Sequence, residues 1–192
     1  FFLILKSILD AADGELARVK NKPSYIGRYL DSTADILLNA LFIAAVGYVT
    51  QASTWMCFLA FIGLQLQGTL YNYYYVILRN KLDGDKTSRV IENKAPIAFE
   101  GEKQQHVNFL FNLYNLLYIS FDKTIYMLDE RAIEGKIFPK WFMTSLSTMG
   151  LGFQLLLMAI LLVFGFDTLI IPFFFAYTLA VLLFIAIRRL YY

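Results

Sequence analysis

Long apolar runs dominate this chain and restrict it to folds that a lipid bilayer can accommodate. Hydrophobic residues make up 58% of its 192 residues, whereas an ordinary soluble domain has about 45–50%. A helix needs roughly 18–20 apolar residues to cross the hydrocarbon core. Four runs approach or exceed that length, at residues 36–50, 55–78, 149–166 and 169–187. The sequence therefore predicts an all-α, polytopic membrane protein.

Five crossings are visible, at about residues 1–20, 26–49, 53–82, 144–166 and 168–187. The chain opens with Phe1 inside an apolar run, with no polar segment before it. A signal peptide would begin with a charged region. We therefore expect that part of the protein lies upstream of Phe1.

A sixth helical segment, at about residues 106–130, is amphipathic rather than uniformly apolar. Lys and Arg cluster in the turn after the first crossing, the loop after the third, the stretch before the fourth, and the tail, whereas the turns at 50–54 and 165–167 have none. If segment 106–130 stays on the cytoplasmic surface, every basic cluster lies on one side, as the positive-inside rule expects. We therefore predict an interfacial helix. A further crossing is the alternative.

The total charge and the cysteine content exclude several classes of function. The formal net charge is only +2, which does not favour a nucleic-acid partner or an acidic substrate. Cys57 is the single cysteine of the sequence, so an internal disulfide and a multi-cysteine metal site are both excluded.

Four aspartates lie at the edges of the first two apolar segments. Asp10 and Asp13 are three residues apart, and Asp31 and Asp35 are four apart, so each pair shares one helix face. An ionised side chain at the bilayer centre costs about 2.5–3.5 kcal/mol, less near the interface, and the two nearby arginines cannot neutralise four carboxylates. Divalent cations would neutralise them. Ligands that are all oxygen atoms favour Mg²⁺ or Mn²⁺, and these ions indicate a phosphate-bearing substrate. The alternative is that each aspartate caps a helix or pairs with Lys or Arg.

Small and basic residues follow Asp13. Gly14 and Ala17 lie on or beside its helix face, where a short side chain lets a ligand approach the backbone. Arg18 offers a positively charged fork for phosphate oxygens. Close packing of two membrane helices would explain the small residues equally well.

These residues form one continuous pattern, which reads Asp10-x-x-Asp13-Gly14-x-x-Ala17-Arg18, then eight residues, then Gly27-x-x-x-Asp31-x-x-x-Asp35. It resembles the full signature of the CDP-alcohol phosphotransferase (phosphatidyltransferase) family at every fixed position and gap. The resemblance implies an enzyme of phospholipid biosynthesis that transfers a phosphoalcohol group from a CDP-alcohol, commonly CDP-diacylglycerol, to a small hydroxyl acceptor and releases CMP. It also implies six transmembrane helices and a homodimer, so a sixth helix would precede this chain.

The same resemblance assigns roles to the signature residues. The four aspartates would hold two ions of Mg²⁺ or Mn²⁺, and Asp35 would also be the catalytic general base. Gly14, Ala17, Arg18 and Gly27 would contact the CDP moiety. We accordingly expect residues 1–192 to form a single integral-membrane catalytic domain, with its active site facing the cytoplasm and with residues 83–143 as a cytoplasmic loop and interfacial-helix insertion.

The acceptor site is less clearly encoded. Arg28, Arg79 and Lys81 are candidates for binding a phosphorylated acceptor such as inositol phosphate or glycerol phosphate. Interfacial anchoring is the alternative for them. Polar residues in or near the third crossing are expected either to line a cavity or to form interhelical hydrogen bonds; they are Gln65, Gln67 and Asn72.

Two other functions fit part of the pattern. An intramembrane prenyltransferase also holds Mg²⁺ on a diphosphate with two aspartate-rich motifs, but Gly14, Ala17, Arg18 and Gly27 argue against it. A divalent-cation transporter lines its pathway with carboxylates, but no second tier of carboxylates lies deeper in the later crossings. Release of CMP from a CDP-lipid would distinguish the phosphotransferase from the prenyltransferase, and metal flux into sealed vesicles would indicate the transporter.

Overall fold

The computed structural model describes residues 23–82, 92 and 94–191, together with residues 5, 6, 8, 9, 12, 15 and 19 near the start of the chain. The described residues before Pro23 are helical. Seven α-helices follow: α1 Tyr25–Val49, α2 Thr54–Lys81, α3 Gln104–Leu128, α4 Lys140–Leu146, α5 Leu151–Val163, α6 Ile170–Tyr177 and α7 Leu179–Tyr191. Short 3₁₀ turns cover Glu130–Ala132, Ser147–Met149 and Asp167–Leu169. The expected all-α fold is confirmed for this part of the chain.

Two stretches of the described residues, Tyr25–Val49 and Asp167–Tyr191, are long and apolar enough to cross a membrane. A third is the bent pair Lys140–Met149 and Leu151–Val163, if the two count as one span. The five crossings therefore remain a prediction. Helix α2 has 28 residues and is about 42 Å long, but polar side chains such as Gln65 and Gln67 lower its hydropathy, and both are buried inside the protein.

The crossing expected at residues 144–166 is not one continuous helix. It breaks at Gly150, whose backbone is extended (φ −72°, ψ 153°), and the helices on either side are inclined by 54°. The sequence shows only an apolar run with glycines at 150 and 152, so its hydropathy does not reveal the bend.

Helix α2 lies at the centre and packs against α1, α3, α6 and α7. Two glycines allow the helices to approach closely. A Cβ atom on Gly47 of α1 would lie 2.3 Å from Cys57 Sγ of α2, and a Cβ on Gly63 of α2 would lie 2.0 Å from Thr178 Oγ1. Both distances are below van der Waals contact, so a side chain at either position would force Cys57 or Thr178 to shift.

Helix α3 runs across one end of the bundle. Near its start, Val107 packs on Tyr29 in the second turn of α1. Beyond its other end, Asp129 accepts hydrogen bonds from Tyr74 of α2 and Arg188 of α7. Tyr29, Tyr74 and Arg188 all belong to the ends of their helices that adjoin the basic clusters of the sequence. Both ends of α3 therefore contact the same end of the bundle.

Candidate active site

The start of α1 positions the two described aspartates of the signature. Ser24 caps the helix, and its Oγ accepts a hydrogen bond from Gly27 N at 2.9 Å. Glu102, in the turn before α3, adds a second cap because its Oε1 accepts from Ser24 Oγ at 2.7 Å and from Ile26 N at 2.9 Å. The backbone N–H groups in the first turn of a helix have no partner within the helix. The contacts of Glu102 therefore join the start of α1 to the start of α3.

Glu102 has an altered pKa as a result of these contacts. Partial burial opposes its ionisation, but hydrogen bonds from Ile26 N, Ser24 Oγ and Phe99 N outweigh that effect and hold the pKa below its usual value. The carboxyl group is therefore ionised at neutral pH and remains an acceptor for the helix start.

Asp31 and Asp35 lie one helical turn apart on α1, at the boundary between two cavities. The first has a volume of about 280 Å³ and is lined by several polar and some apolar side chains of α1, α2, α3 and α5. The second, of about 320 Å³, lies between α1 and the segment that precedes it, where Leu5, Leu9 and Leu38 form apolar walls. We call them the polar cavity and the apolar cavity. The two carboxylates are thus accessible from both sides of one helix.

The polar cavity contains buried groups without hydrogen-bond partners. Gln65 is 4% exposed and Thr69 is 6% exposed, and neither Gln65 Nε2 nor Thr69 Oγ1 has a partner. Asn72 lies on the same wall. The expectation that Gln65 and Asn72 line a cavity is confirmed. Gln67 instead forms an interhelical hydrogen bond, because its Nε2 donates to Phe174 O at 3.1 Å across the interface with α6.

Helix α3 forms the opposite wall of the polar cavity, and sequence reasoning missed this contribution. Tyr118 OH donates to Ser32 O on α1 at 3.0 Å, and Tyr114 OH donates to Asp122 Oδ2 at 3.2 Å. An interfacial helix on its own would turn its polar side toward water, whereas Asp122 lines the cavity. Residues 114, 118 and 122 are four apart and therefore share one helix face. This spacing is the sequence signal that could have predicted their common position on the cavity wall.

Burial has the largest effect on the pKa of the Asp122 carboxyl. It raises the pKa of the carboxyl to about 6, although the hydrogen bond from Tyr114 acts in the opposite direction. Asp122 is therefore largely ionised at pH 7 and adds a third acidic side chain to the cavity wall that Asp31 and Asp35 share.

Five signature residues lie outside the described part of the chain, and their roles stay predictions; they are Asp10, Asp13, Gly14, Ala17 and Arg18. Within the described residues, no group of three or more Asp, Glu, His or Cys side chains comes together to hold a metal. Asp31 and Asp35 supply the hard oxygen donors that Mg²⁺ and Mn²⁺ prefer, so they fit the predicted ions as a partial ligand set. Lys6 Nζ forms an ion pair with Asp35 from the side of the apolar cavity.

Gly27 lies exposed in the first turn of α1, four residues before Asp31. Its N–H donates to Ser24 Oγ, and a Cβ atom at this position would lie 3.3 Å from that oxygen, so glycine leaves room for the capping contact. The structure does not test its predicted contact with the CDP moiety, which remains a prediction.

The three basic residues predicted for the acceptor contact groups elsewhere. Arg28 forms a bidentate ion pair with Glu92, at 2.6 and 2.7 Å. Arg79 lies over the ring of Tyr75 at 5.3 Å, and Lys81 Nζ donates to Gly135 O. None of the three lines the polar cavity. Their binding of an acceptor remains a prediction.

Asp31 and Asp35 lie between two cavities, in a chain whose long apolar helices are consistent with an integral membrane protein. The model of the CDP-alcohol phosphatidyltransferase family matches residues 1–100, a region that contains both aspartate pairs and α2. The chain belongs to this family and is an enzyme of its CDP-alcohol phosphotransferase class. Enzymes of the family generally depend on metal ions.

A curated relative is similar over a shorter stretch. The bifunctional IPC transferase and DIPP synthase of Thermococcus kodakarensis is 40% identical over 60 residues, which are 31% of this chain and 14% of the relative. The chain therefore matches only a small part of that protein. No solved structure matches the chain at a significant level.

Proposed function

We propose that this enzyme transfers a phosphatidyl group from CDP-diacylglycerol to the hydroxyl of a small acceptor, with release of CMP, as a step of phospholipid synthesis. The observation that supports this most directly is the position of Asp31 and Asp35 between a polar and an apolar cavity. A lipid-linked nucleotide has an apolar part and a charged part, and a water-soluble acceptor has only polar groups. The cavity with several polar side chains suits the acceptor, and the apolar cavity on the other side of the same carboxylate pair suits the lipid part of the donor.

The reaction requires that the acceptor oxygen attack the phosphorus atom that carries the diacylglycerol. The bond from this phosphorus to the bridging oxygen breaks, and CMP leaves with the electron pair. Asp35 is proposed to accept the proton of the acceptor hydroxyl, because its carboxyl borders the polar cavity one turn beyond Asp31. Mg²⁺ or Mn²⁺ held by Asp10, Asp13, Asp31 and Asp35 would neutralise charge on the phosphoryl oxygens.

The apolar cavity is the proposed position of the donor's glyceride part. Its walls include Leu5, Leu9 and Leu38, and its polar end contains Lys6 and Asp35. Lys6 is suited to a phosphate oxygen because it already lies beside the carboxylate that borders both cavities. Arg18, Gly14, Ala17 and Gly27 are proposed to contact the CDP moiety, as the family signature implies.

The proposed arrangement in the membrane is multi-pass, with five crossings in this chain, a sixth before it, and the active site at the cytoplasmic boundary. Helix α3 is proposed to lie along that boundary, because both of its ends contact the same end of the bundle. An isolated interfacial helix would bury its apolar side in lipid. The proposed assembly is a homodimer.

Asp35→Asn tests the central role. With the full-length protein in lipid nanodiscs, CDP-diacylglycerol and Mg²⁺ or Mn²⁺, we expect the rate of CMP release to fall by at least about 100-fold, as for loss of a general base. Asp167→Asn is the matched control, because Asp167 lies in the turn between α5 and α6 and lines neither of the two cavities. Calorimetry would report binding of the metal ion and of CDP. If Asp35→Asn keeps its activity with metal bound, Asp35 is not the base.

A further inference from the structure

The nature of the acceptor can be inferred from the polar cavity, given the proposed function. This cavity adjoins Asp35 on the side of α2 and α3, and its volume is about 280 Å³. Pockets that bind small molecules usually have a volume of about 300–1,000 Å³, so this cavity is at the lower end of that range. It suits a compact acceptor and does not suit a second lipid.

Two buried donors in the cavity wall point to the hydrogen-bonding groups of that acceptor. Gln65 and Thr69 lie one helical turn apart on α2, are more than nine-tenths buried, and have side-chain atoms without partners. Buried polar atoms in proteins are nearly always hydrogen-bonded. An amide N–H and a hydroxyl that line a cavity are suited to oxygen atoms of a ligand.

The charges along the cavity argue against a phosphate on the acceptor. Three carboxylates line it, from Asp31, Asp35 and Asp122, and none of the described lining residues is Lys or Arg. Even if metal ions neutralise the first two, Asp122 on α3 faces the same space. Asp122 lies outside the family signature, and its acceptor-only oxygens are suited to hydroxyl groups.

We infer that the acceptor is a small polyhydroxyl alcohol without a phosphate group, bound by Gln65 and Thr69 on one wall and by Asp122 on the other. A hydroxyl group both donates and accepts, so a polyol can satisfy the amide, the hydroxyl and the carboxylate at once. A phosphate would place negative charge beside Asp122 with no cation among the described lining residues to offset it.

Matched acceptor pairs test the inference. CMP release would be measured with the full-length protein in nanodiscs containing CDP-diacylglycerol, with Mg²⁺ or Mn²⁺. The pairs are glycerol against glycerol 3-phosphate and inositol against inositol 1-phosphate, with serine and ethanolamine as amino alcohols. We expect kcat/KM to be at least about ten-fold higher for the unphosphorylated member of one pair.

The outcomes separate the inference from the proposed function. Preference for phosphorylated acceptors, or use of amino alcohols alone, overturns the inference and leaves transfer from a CDP-alcohol intact. Absence of CMP release with every acceptor, in protein that is folded, overturns both.

Substitutions in the cavity wall supply a second test. Thr69→Val removes the hydroxyl at nearly constant volume, and Gln65→Leu removes the amide. We expect each to raise KM for the acceptor by about three- to ten-fold, as for one lost hydrogen bond, with KM for CDP-diacylglycerol changed less than two-fold. Thr69→Ser, which restores the hydroxyl, should recover most of the loss. Ser53→Ala, at the exposed start of α2 where the serine side chain makes no capping hydrogen bond, is the control. Unchanged acceptor KM in both Thr69→Val and Gln65→Leu would refute the assignment of this wall.

Discussion

At the scale of single residues, Asp129 is the most constrained acidic side chain of the described chain outside the cavities. It is 1% exposed. Its carboxylate forms an ion pair with Arg188 and accepts a hydrogen bond from Tyr74, while Tyr73 OH donates to its backbone oxygen at 2.9 Å. These contacts tie the end of α3 to α2 and to α7. A buried charge is tolerated only where such partners compensate it.

Asp129→Asn is expected to destabilise the protein. The substitution keeps the shape of the side chain but removes its charge, so Arg188 is left without compensation in the interior. Breaking a buried ion pair in this way costs about 3–5 kcal/mol. Thermal unfolding in detergent, followed by tryptophan fluorescence, should show a clear fall in Tm. The control Asp167→Asn keeps the side-chain oxygen that accepts from Thr168 N and should unfold like the wild type. An unchanged Tm would mean that the ion pair contributes nothing to stability.

Sequence reasoning points to the signature aspartates more readily than to this structural one. Asp31 and Asp35 stand in a signature with fixed spacing, so their role is predicted from residue order. Asp129 has no such pattern, and its partners Tyr74 and Arg188 lie 55 and 59 residues away along the chain. Its burial depends on how α2, α3 and α7 pack, which periodicity does not encode.

At the scale of helices, the packing of α2 depends on its glycines. Gly63→Ala would place a methyl group 2.0 Å from Thr178 Oγ1 and 3.3 Å from Phe174 O. Overpacking of this kind typically costs about 1–3 kcal/mol. We expect a lower Tm for Gly63→Ala.

Gly68→Ala, five residues further along the same helix, is the control. It has no atom within 4 Å of the added carbon, and its Tm should stay the same or rise because alanine favours helices. Equal destabilisation by both would contradict this account.

The lengths of the helices were predicted better than their breaks. The segments expected at 26–49, 53–82 and 106–130 correspond to Tyr25–Val49, Thr54–Lys81 and Gln104–Leu128. Hydropathy and amphipathic spacing mark such long elements well. The bend at Gly150 was not anticipated, because apolar composition continues through it and only the backbone conformation changes.

At the scale of the whole molecule, the position of α3 decides the topology. If α3 lies along the cytoplasmic boundary, single cysteines at His106 and Arg131, near its two ends, should react with an impermeant maleimide from the same side of sealed vesicles. Cys57 would first be replaced by alanine. Gln51→Cys, in the turn between α1 and α2, should react from the opposite side. Labelling of His106→Cys and Arg131→Cys from opposite sides would show that α3 crosses the membrane.

The distribution of basic residues predicted this arrangement, but not the cavity that α3 helps to enclose. Charge asymmetry depends only on which loops carry Lys and Arg. The cavity depends on how each helix is rotated about its axis, which places Asp122 and Tyr118 toward α1 instead of toward water. That rotation follows from packing contacts distant in sequence, such as Val107 on Tyr29.

The placement of Asp31 and Asp35 on a single helix between unlike cavities has a consequence for side reactions. Under the proposed function, the lipid-borne and the water-borne reactants arrive by separate routes and meet only at these carboxylates. A bulky alcohol that fills the polar route also displaces the solvent molecules that would otherwise attack the activated phosphorus. Occupancy by the correct alcohol would therefore suppress wasteful hydrolysis of the nucleotide-lipid.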